Sequence, residues 1–178
     1  MPMLVAGSSK LKLSQCLRVS VSPCLGGEEN LILRIDSASL NVLRMHAEET
    51  YPDECCGVLL GRFEDGVNTA VAAIACANAR QDSPHNRYSI APLDLVRIQR
   101  EARNQGLDII GFYHSHPDHP AQWSSTDLSE GYWLGCSYAI TSVIKGKANE
   151  TRSFRLAGSV EMVLDQKQFE EEAVEIAE

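Results

Sequence analysis

Leu107-Asp108-Ile109-Ile110-Gly111-Phe112-Tyr113-His114-Ser115-His116 is the stretch around which this chain is organised. Its first seven residues are largely apolar and β-prone and read as a buried strand. Residues two apart in a strand share a face, so His114 and His116 at its end aim at one point. Ser124 and Asp127 follow, and the pattern as written is H-x-H-x7-S-x2-D. Two imidazoles, a hydroxyl and a carboxylate are the groups that hold a zinc ion in front of a polarised carbonyl. Ser124-Ser125-Thr126-Asp127 has the S-x-x-D spacing of a helix start. It predicts Asp127 in the first turn of a helix running to about Leu134. One short loop then returns Asp127 to the two histidines.

Working outward, Pro92 opens a helix to about Gln105, with Leu95, Ile98 and Ala102 inward and Gly106 closing it. A polar loop, Asn78 to Asn86, precedes it. Further upstream, Cys56-Gly57-Val58-Leu59-Leu60-Gly61 is a continuous apolar run and reads as a central strand. Glu64-Asp65-Gly66 signals a turn, and Thr69 to Ala77 returns as the second arm of a hairpin. Leu31 to Ile35 reads as a short strand. Asp36 caps a helix from Ser37 to about Glu49, with Leu40, Leu43 and Ala47 on one face, and Pro52 ends it. Downstream, Ser137 to Val143, Phe154-Arg155-Leu156 and Ser159 to Leu164 read as strands. Helices that alternate with and flank a central sheet predict an α/β fold, the sheet mixed because the hairpin is antiparallel.

A chain of 178 residues with 44% apolar residues suits one domain. The expected bounds are 31–164 for the folded domain, after an N-terminal extension, 1–30, expected to be disordered. Residues 165–178 hold six acids and one base, a net of −5, and are expected to form an acidic helix or tail. The formal charge of −8 argues against nucleic acid as the main partner. No stretch approaches the roughly 18 apolar residues of a membrane span, and the start lacks the apolar core of a secretory signal. A cytoplasmic protein is the expectation. Residues 1–27, acid-free and serine-containing with Lys10, Lys12 and Arg18, leave an organelle transit segment as the alternative. Six cysteines without an export signal, two of them adjacent and none in a C-x-x-C pair, are expected to be buried thiols.

Three protein ligands leave zinc one position for water, whose pKa then falls to about 7. Amide hydrolysis also needs a group that takes and returns a proton. The histidines carry no acid at helical spacing, so that group lies elsewhere. Glu54, directly before the buried strand Cys56 to Gly61, is the candidate. Composition alone does not separate it from Glu48, Glu49 or Asp53. Ser124 has two readings, a helix cap and a hydrogen-bond donor. Asp118 and His119 lie in the loop after the histidines, His85 in a polar loop, Trp123 beside Ser124 as a loop anchor, and Cys55 beside Glu54 as a packed thiol.

Together these blocks resemble the JAMM, or MPN-plus, metallopeptidases, whose signature is an upstream Glu followed by H-x-H-x7-S-x2-D. Pro52 to Gly61, Arg87-Tyr88-Ser89-Ile90-Ala91-Pro92 and Gly111 to Pro117 resemble three family segments, and the likeness extends over about Leu31 to Leu164. The resemblance implies one zinc ion on His114, His116 and Asp127, proton handling by Glu54, and donation by Ser124 to the tetrahedral oxyanion. It implies a three-layer sandwich related to the cytidine-deaminase architecture. Compact members act on the C-terminal Gly-Gly tail of small ubiquitin-like sulfur carriers, and such a tail would bind extended along a sheet edge. Peptide or isopeptide hydrolysis at such a tail is therefore the expected activity. Alternatives are a deubiquitinase, a phage-tail-type peptidase, or a binding module that does not hydrolyse. A closed structural zinc site would need a fourth ligand, for which only an inward His119 is at hand.

Overall fold

The computed structural model describes residues 31–158 and 167–178. Its elements in order are β1 Ile32–Asp36, α1 Ser37–Thr50, β2 Cys56–Glu64, β3 Val67–Cys76, α2 Pro92–Asn104, β4 Asp108–Pro117, α3 Ser125–Glu130, β5 Ser137–Ile144, β6 Lys147–Ala157 and β7 Gln168–Ala177. Local signals in the sequence account for most of them. Asp36 caps α1 by accepting from Ser39 N at 2.6 Å. Asp65 and Gly66 supply the positive φ values that the tight β2–β3 turn requires. Pro92 starts α2, and Gly106, at φ +68, follows its end.

The strand order is β1-β3-β2-β4-β5-β6-β7, and β7 pairs in parallel with β1, so the sheet closes on itself. This overturns the expected three-layer α/β sandwich and the cytidine-deaminase-like architecture implied with it. The segment expected as an acidic helix or tail is β7, paired antiparallel with β6 and parallel with β1. Those two ladders supply the missing closure. Closure is confined to part of the strands: β3 pairs with β1 only from Val67 to Ala70, so among the described residues Val71–Cys76 is laddered on one side alone, by β2. Expected strand Ser159 to Leu164 and the 1–30 extension lie outside the described residues.

Alternation along the strands builds two cores. Val58, Phe112, Tyr138, Ile140 and Phe154 face one way, where Ile98 and Ala102 of α2 cover them. Leu59, Ile110, Tyr113, Ala139 and Val143 face the other, with Leu33, Ile35, Leu43 and Ala47. Helix α1 packs against β1, β3, β4, β5 and β6 and so lies against the concave side of the curled sheet. β4 runs between β2 and β5 and is buried on both faces from Ile109 to His116. Gly57 is needed beside it, because a side-chain carbon there would meet the Tyr113 ring and the Ile74 carbonyl. The four described cysteines, Cys55, Cys56, Cys76 and Cys136, are free and buried, as expected. Among the described residues no helix is long and apolar enough to cross a membrane.

Candidate metal centre

The β2–β4 ladder positions the site. Cys56 pairs with His114, so in the antiparallel register Glu54, two residues earlier, comes opposite His116, two residues later. Between them Ser115 points away from the histidines and ties the strands together. Its Oγ accepts from Cys55 N at 2.9 Å, and its N–H donates to Cys55 O at 3.3 Å. Helix α3 delivers Asp127 from above through a reciprocal capping box. Ser124 Oγ accepts from Asp127 N at 3.1 Å, and Asp127 Oδ2 accepts from Ser124 N at 2.6 Å.

The structure brings His114, His116 and Asp127 together as one ligand-bearing cluster. His114 Nε2 and His116 Nε2 are 3.1 Å apart. Asp127 lies 3.3 Å from His114 Nε2 and 3.6 Å from His116 Nε2. A tetrahedral ion with bonds of about 2.0–2.1 Å spaces its ligands by roughly 3.3 Å, so these three donors fit one. His116 Nδ1 is 3.0 Å from Pro120 O, and donation there fixes the ring and turns Nε2 inward. Two imidazole nitrogens this close need a proton or a cation between them. Without a metal, burial opposes a charge on His116, but the hydrogen bond and charge of Asp127 prevail and raise its pKa. Burial lowers the pKa of His114, against the pull of Asp127. For Asp127 burial acts upward, yet hydrogen bonds from His114, His116 and Ser124 hold it well below the usual carboxylate range. A divalent cation would replace the proton, with one coordination corner left open by the three ligands.

Glu54 is 4% exposed, and burial pushes its pKa up to about 8, with Asp127 and Glu130 adding to the rise and His116 opposing it. Its backbone is held by the loop between β3 and α2. Glu54 N donates to Pro84 O at 2.8 Å, and Asn78 Nδ2 donates to Glu54 O at 3.3 Å. Beside the cluster runs a groove of about 360 Å³, lined among others by Arg80, Arg87, Tyr88, Asp127, Glu130 and Trp133.

The remaining sequence candidates sort clearly. Ser124 Oγ is 2.7 Å from Asp127 Oδ2, so its hydroxyl serves the cap and the carboxylate. His119 is exposed and outside the ligand cluster, which holds three residues among those described. Asp118 is exposed and accepts from Tyr51 Oη at 2.9 Å and Lys145 N at 2.8 Å, bracing the loop. His85 is exposed and pairs with Asp53. Trp123 packs on Phe169, with ring centres 5.7 Å apart, as a loop anchor. Burial raises the Cys55 thiol to about 12, leaving it a packing group. Sequence reasoning missed Tyr88, whose ring stacks on His114 at 4.6 Å. It also missed Asn78, which holds Arg87 O and receives Arg80 N and Ser89 N. The only signal for Tyr88 was the block Arg87 to Pro92, and Asn78 stood merely as the first residue of a polar loop.

Residues 36–157 match the family of prokaryotic homologs of the JAB domain. The chain is 36% identical over 91 residues to a desampylase of Haloferax volcanii, covering 51% of this chain and 63% of that protein, a little under two thirds. It is 32% identical over 110 residues to a probable TtuB-protein conjugate cleaving protease of Thermus thermophilus, covering 62% and 70%. To a CysO-cysteine peptidase of Mycobacterium tuberculosis it is 27% identical over 126 residues, covering 71% and 82%. A solution structure from Salinibacter ruber superposes with a TM-score of 0.61 at 35% identity, over 81% of this chain and 91% of that one. With its ligand cluster on β4 and α3 inside the matched span, the chain belongs to the prokaryotic homologs of the JAB domain.

Proposed function

We propose that this chain is a zinc metallopeptidase that cuts a peptide or isopeptide bond at the C-terminal Gly-Gly tail of a small ubiquitin-like sulfur carrier. One observation carries the reading: three convergent donors, His114, His116 and Asp127, beside a buried carboxyl group, Glu54. The names of the relatives support the substrate class, since they include conjugate cleavage and a CysO-cysteine peptidase. The groove beside Asp127 supports an extended ligand, and its wall at Tyr88 and Trp133 suits a tail whose glycines admit close backbone approach.

A zinc ion held by His114 Nε2, His116 Nε2 and Asp127 would supply Lewis-acid polarisation of the scissile carbonyl and of water. The chain's own groups do the rest. Glu54, made reluctant to ionise by burial, takes a proton and returns it to the leaving amine. His116, fixed by Pro120 O, keeps one nitrogen directed at the centre. Tyr88 covers the His114 ring on the groove side. For Ser124 to donate to a developing oxyanion, its hydroxyl must rotate away from Asp127 Oδ2. Its lone pair can keep capping Asp127 N.

Ubiquitin-like carriers extended by one or a few residues beyond Gly-Gly, incubated with the protein and read by mass spectrometry, test the reading. Cleavage directly after the second glycine, lost with a chelator and restored by zinc, is expected. Full cleavage by a metal-free preparation would refute the metal-dependent mechanism.

A further inference from the structure

Arg80 and Arg87, on the loop between β3 and α2, line the groove that contains Asp127. Both reach the same oxygen, Glu130 Oε1, through Nη2, at 3.4 and 3.1 Å. Arg80 Nε also lies 3.1 Å from Asp82 Oδ1. Glu130 is three residues beyond Asp127 on α3, and side chains so spaced sit about 5–6 Å apart at Cβ. Two guanidinium groups thus converge on the helix that carries a candidate metal ligand, in the groove that this ligand also lines.

We propose that Arg80 and Arg87 bind the terminal α-carboxylate of a one-residue leaving group, making this chain prefer substrates that carry a single amino acid beyond the scissile bond. The proposal rests on the peptidase reading and narrows its substrate. Geometry gives the first argument. Successive Cα atoms are about 3.8 Å apart, so the carboxylate of a single leaving residue stays within about one residue step of the scissile carbonyl. With the carbonyl near Asp127, the carboxylate then stays in the groove that Arg80 and Arg87 also line. A longer leaving peptide carries its carboxylate past them, and a lysine joined through its side chain has none at that distance. Hydrogen bonding gives the second argument. A guanidinium offers five N–H donors in a planar fork that suits a carboxylate bidentately. Here two guanidiniums share one carboxylate oxygen end-on, a pairing that leaves donors for a second carboxylate. Exposure gives the third. The Arg80 and Arg87 side chains are 25% and 37% exposed, so a partner bound in the groove is less screened than one on an open surface. Hydrolysis then places the hydroxyl of water on the glycine carbonyl carbon and its proton on the leaving amine.

Two peptides ending in Gly-Gly-Ala, one a free acid and one a carboxamide, test this. Binding is measured by calorimetry with zinc-loaded Glu54→Gln protein, and turnover with the unaltered, zinc-loaded chain. The acid is expected to bind roughly ten- to a hundredfold tighter, as for a hydrogen-bonded charge. Arg87→Gln should remove most of that preference and Arg87→Lys restore part of it. Equal affinity for the two peptides, or no measurable binding of the acid, overturns the proposal. Acid-selective binding without turnover of either peptide keeps the carboxylate site and sinks the peptidase reading. Equal turnover of both keeps the peptidase reading and sinks the site. Should Arg87→Gln fail to fold, the acid–amide comparison on the other two proteins decides alone.

Discussion

Glu54 is a carboxyl group that the fold prefers to keep neutral. Its pKa rises from 4.5 to about 8 on burial, so in the metal-free chain the unfolded state ionises first. The stability held by the neutral form is fully present below about pH 4.5 and disappears as pH rises through about 8. Asp127 works in the opposite sense, its pKa lying well below 3.8, so its contribution is lost as pH falls under that value. Urea unfolding of metal-free protein should therefore show stability declining between pH 5 and 8, by an amount on the order of a few kcal/mol. Glu54→Gln should flatten that decline, and an unchanged slope in the variant would assign it to other groups. The same substitution should keep zinc and lose hydrolysis, read by metal analysis alongside the mass-spectrometric assay. Asp127→Ala should lower zinc affinity, and an unchanged dissociation constant would remove Asp127 from the ligand set.

Helix α3 is short, and its two ends are fixed by different kinds of information. The start is local: Ser124 and Asp127 cap each other. Ser124→Ala should cost about 1 kcal/mol in stability and weaken zinc binding about 10–100-fold by loosening a ligand's support. Rate measurements at saturating zinc separate its two roles. A remaining loss of about 10²–10³ in kcat assigns Ser124 to the oxyanion, whereas full recovery leaves it a cap. The end of α3 is not local. The helix was expected to reach about Leu134 but stops at Glu130. Lys167 Nζ takes up the carbonyls of Ser129 and Gly131 at 2.9 and 2.7 Å, from more than thirty residues away. The contrast explains what was legible. β1, α1, the β2–β3 hairpin, α2 and β4 carry their own caps, turns and apolar periods. The His114-Ser115-His116 and Ser124-to-Asp127 blocks likewise lie on single elements. Tyr88, Asn78 and the Arg80–Glu130–Arg87 cluster enter the site through tertiary contact, which no periodicity announces.

Closure of the sheet is the property of the whole molecule that the chain conceals best. Gln168-Phe-Glu-Glu-Glu-Ala-Val-Glu-Ile-Ala177 is rich in helix formers, and only the ladders with β6 and β1 make it a strand. Arg155 holds that closure. Its Nε and Nη2 donate to Glu172 Oε2 at 3.1 and 2.8 Å, while Nη1 reaches Gly66 O at 2.6 Å and Nη2 reaches Ile32 O at 2.8 Å. Ser153 Oγ donates to the other Glu172 oxygen at 2.7 Å. One guanidinium thereby joins β6, β7, β1 and the β2–β3 turn, and the pair is almost fully shielded from solvent, at 7% and 0% side-chain exposure. Removing one partner strands the other as an uncompensated buried charge. Glu172→Ala should therefore cost about 3–5 kcal/mol, a fall in melting temperature of about 6–20 °C for a chain of this size. The site lies on β4, separated from β6 only by β5, so zinc affinity should fall with stability. Replacing both partners, Arg155→Met with Glu172→Leu, removes the desolvation cost together with the attraction. That double variant should recover most of the lost stability. Thermal unfolding of the two variants beside the unaltered chain distinguishes the cases. A double variant no more stable than Glu172→Ala would mean that the contacts to Gly66 and Ile32, rather than the ion pair, hold the barrel shut.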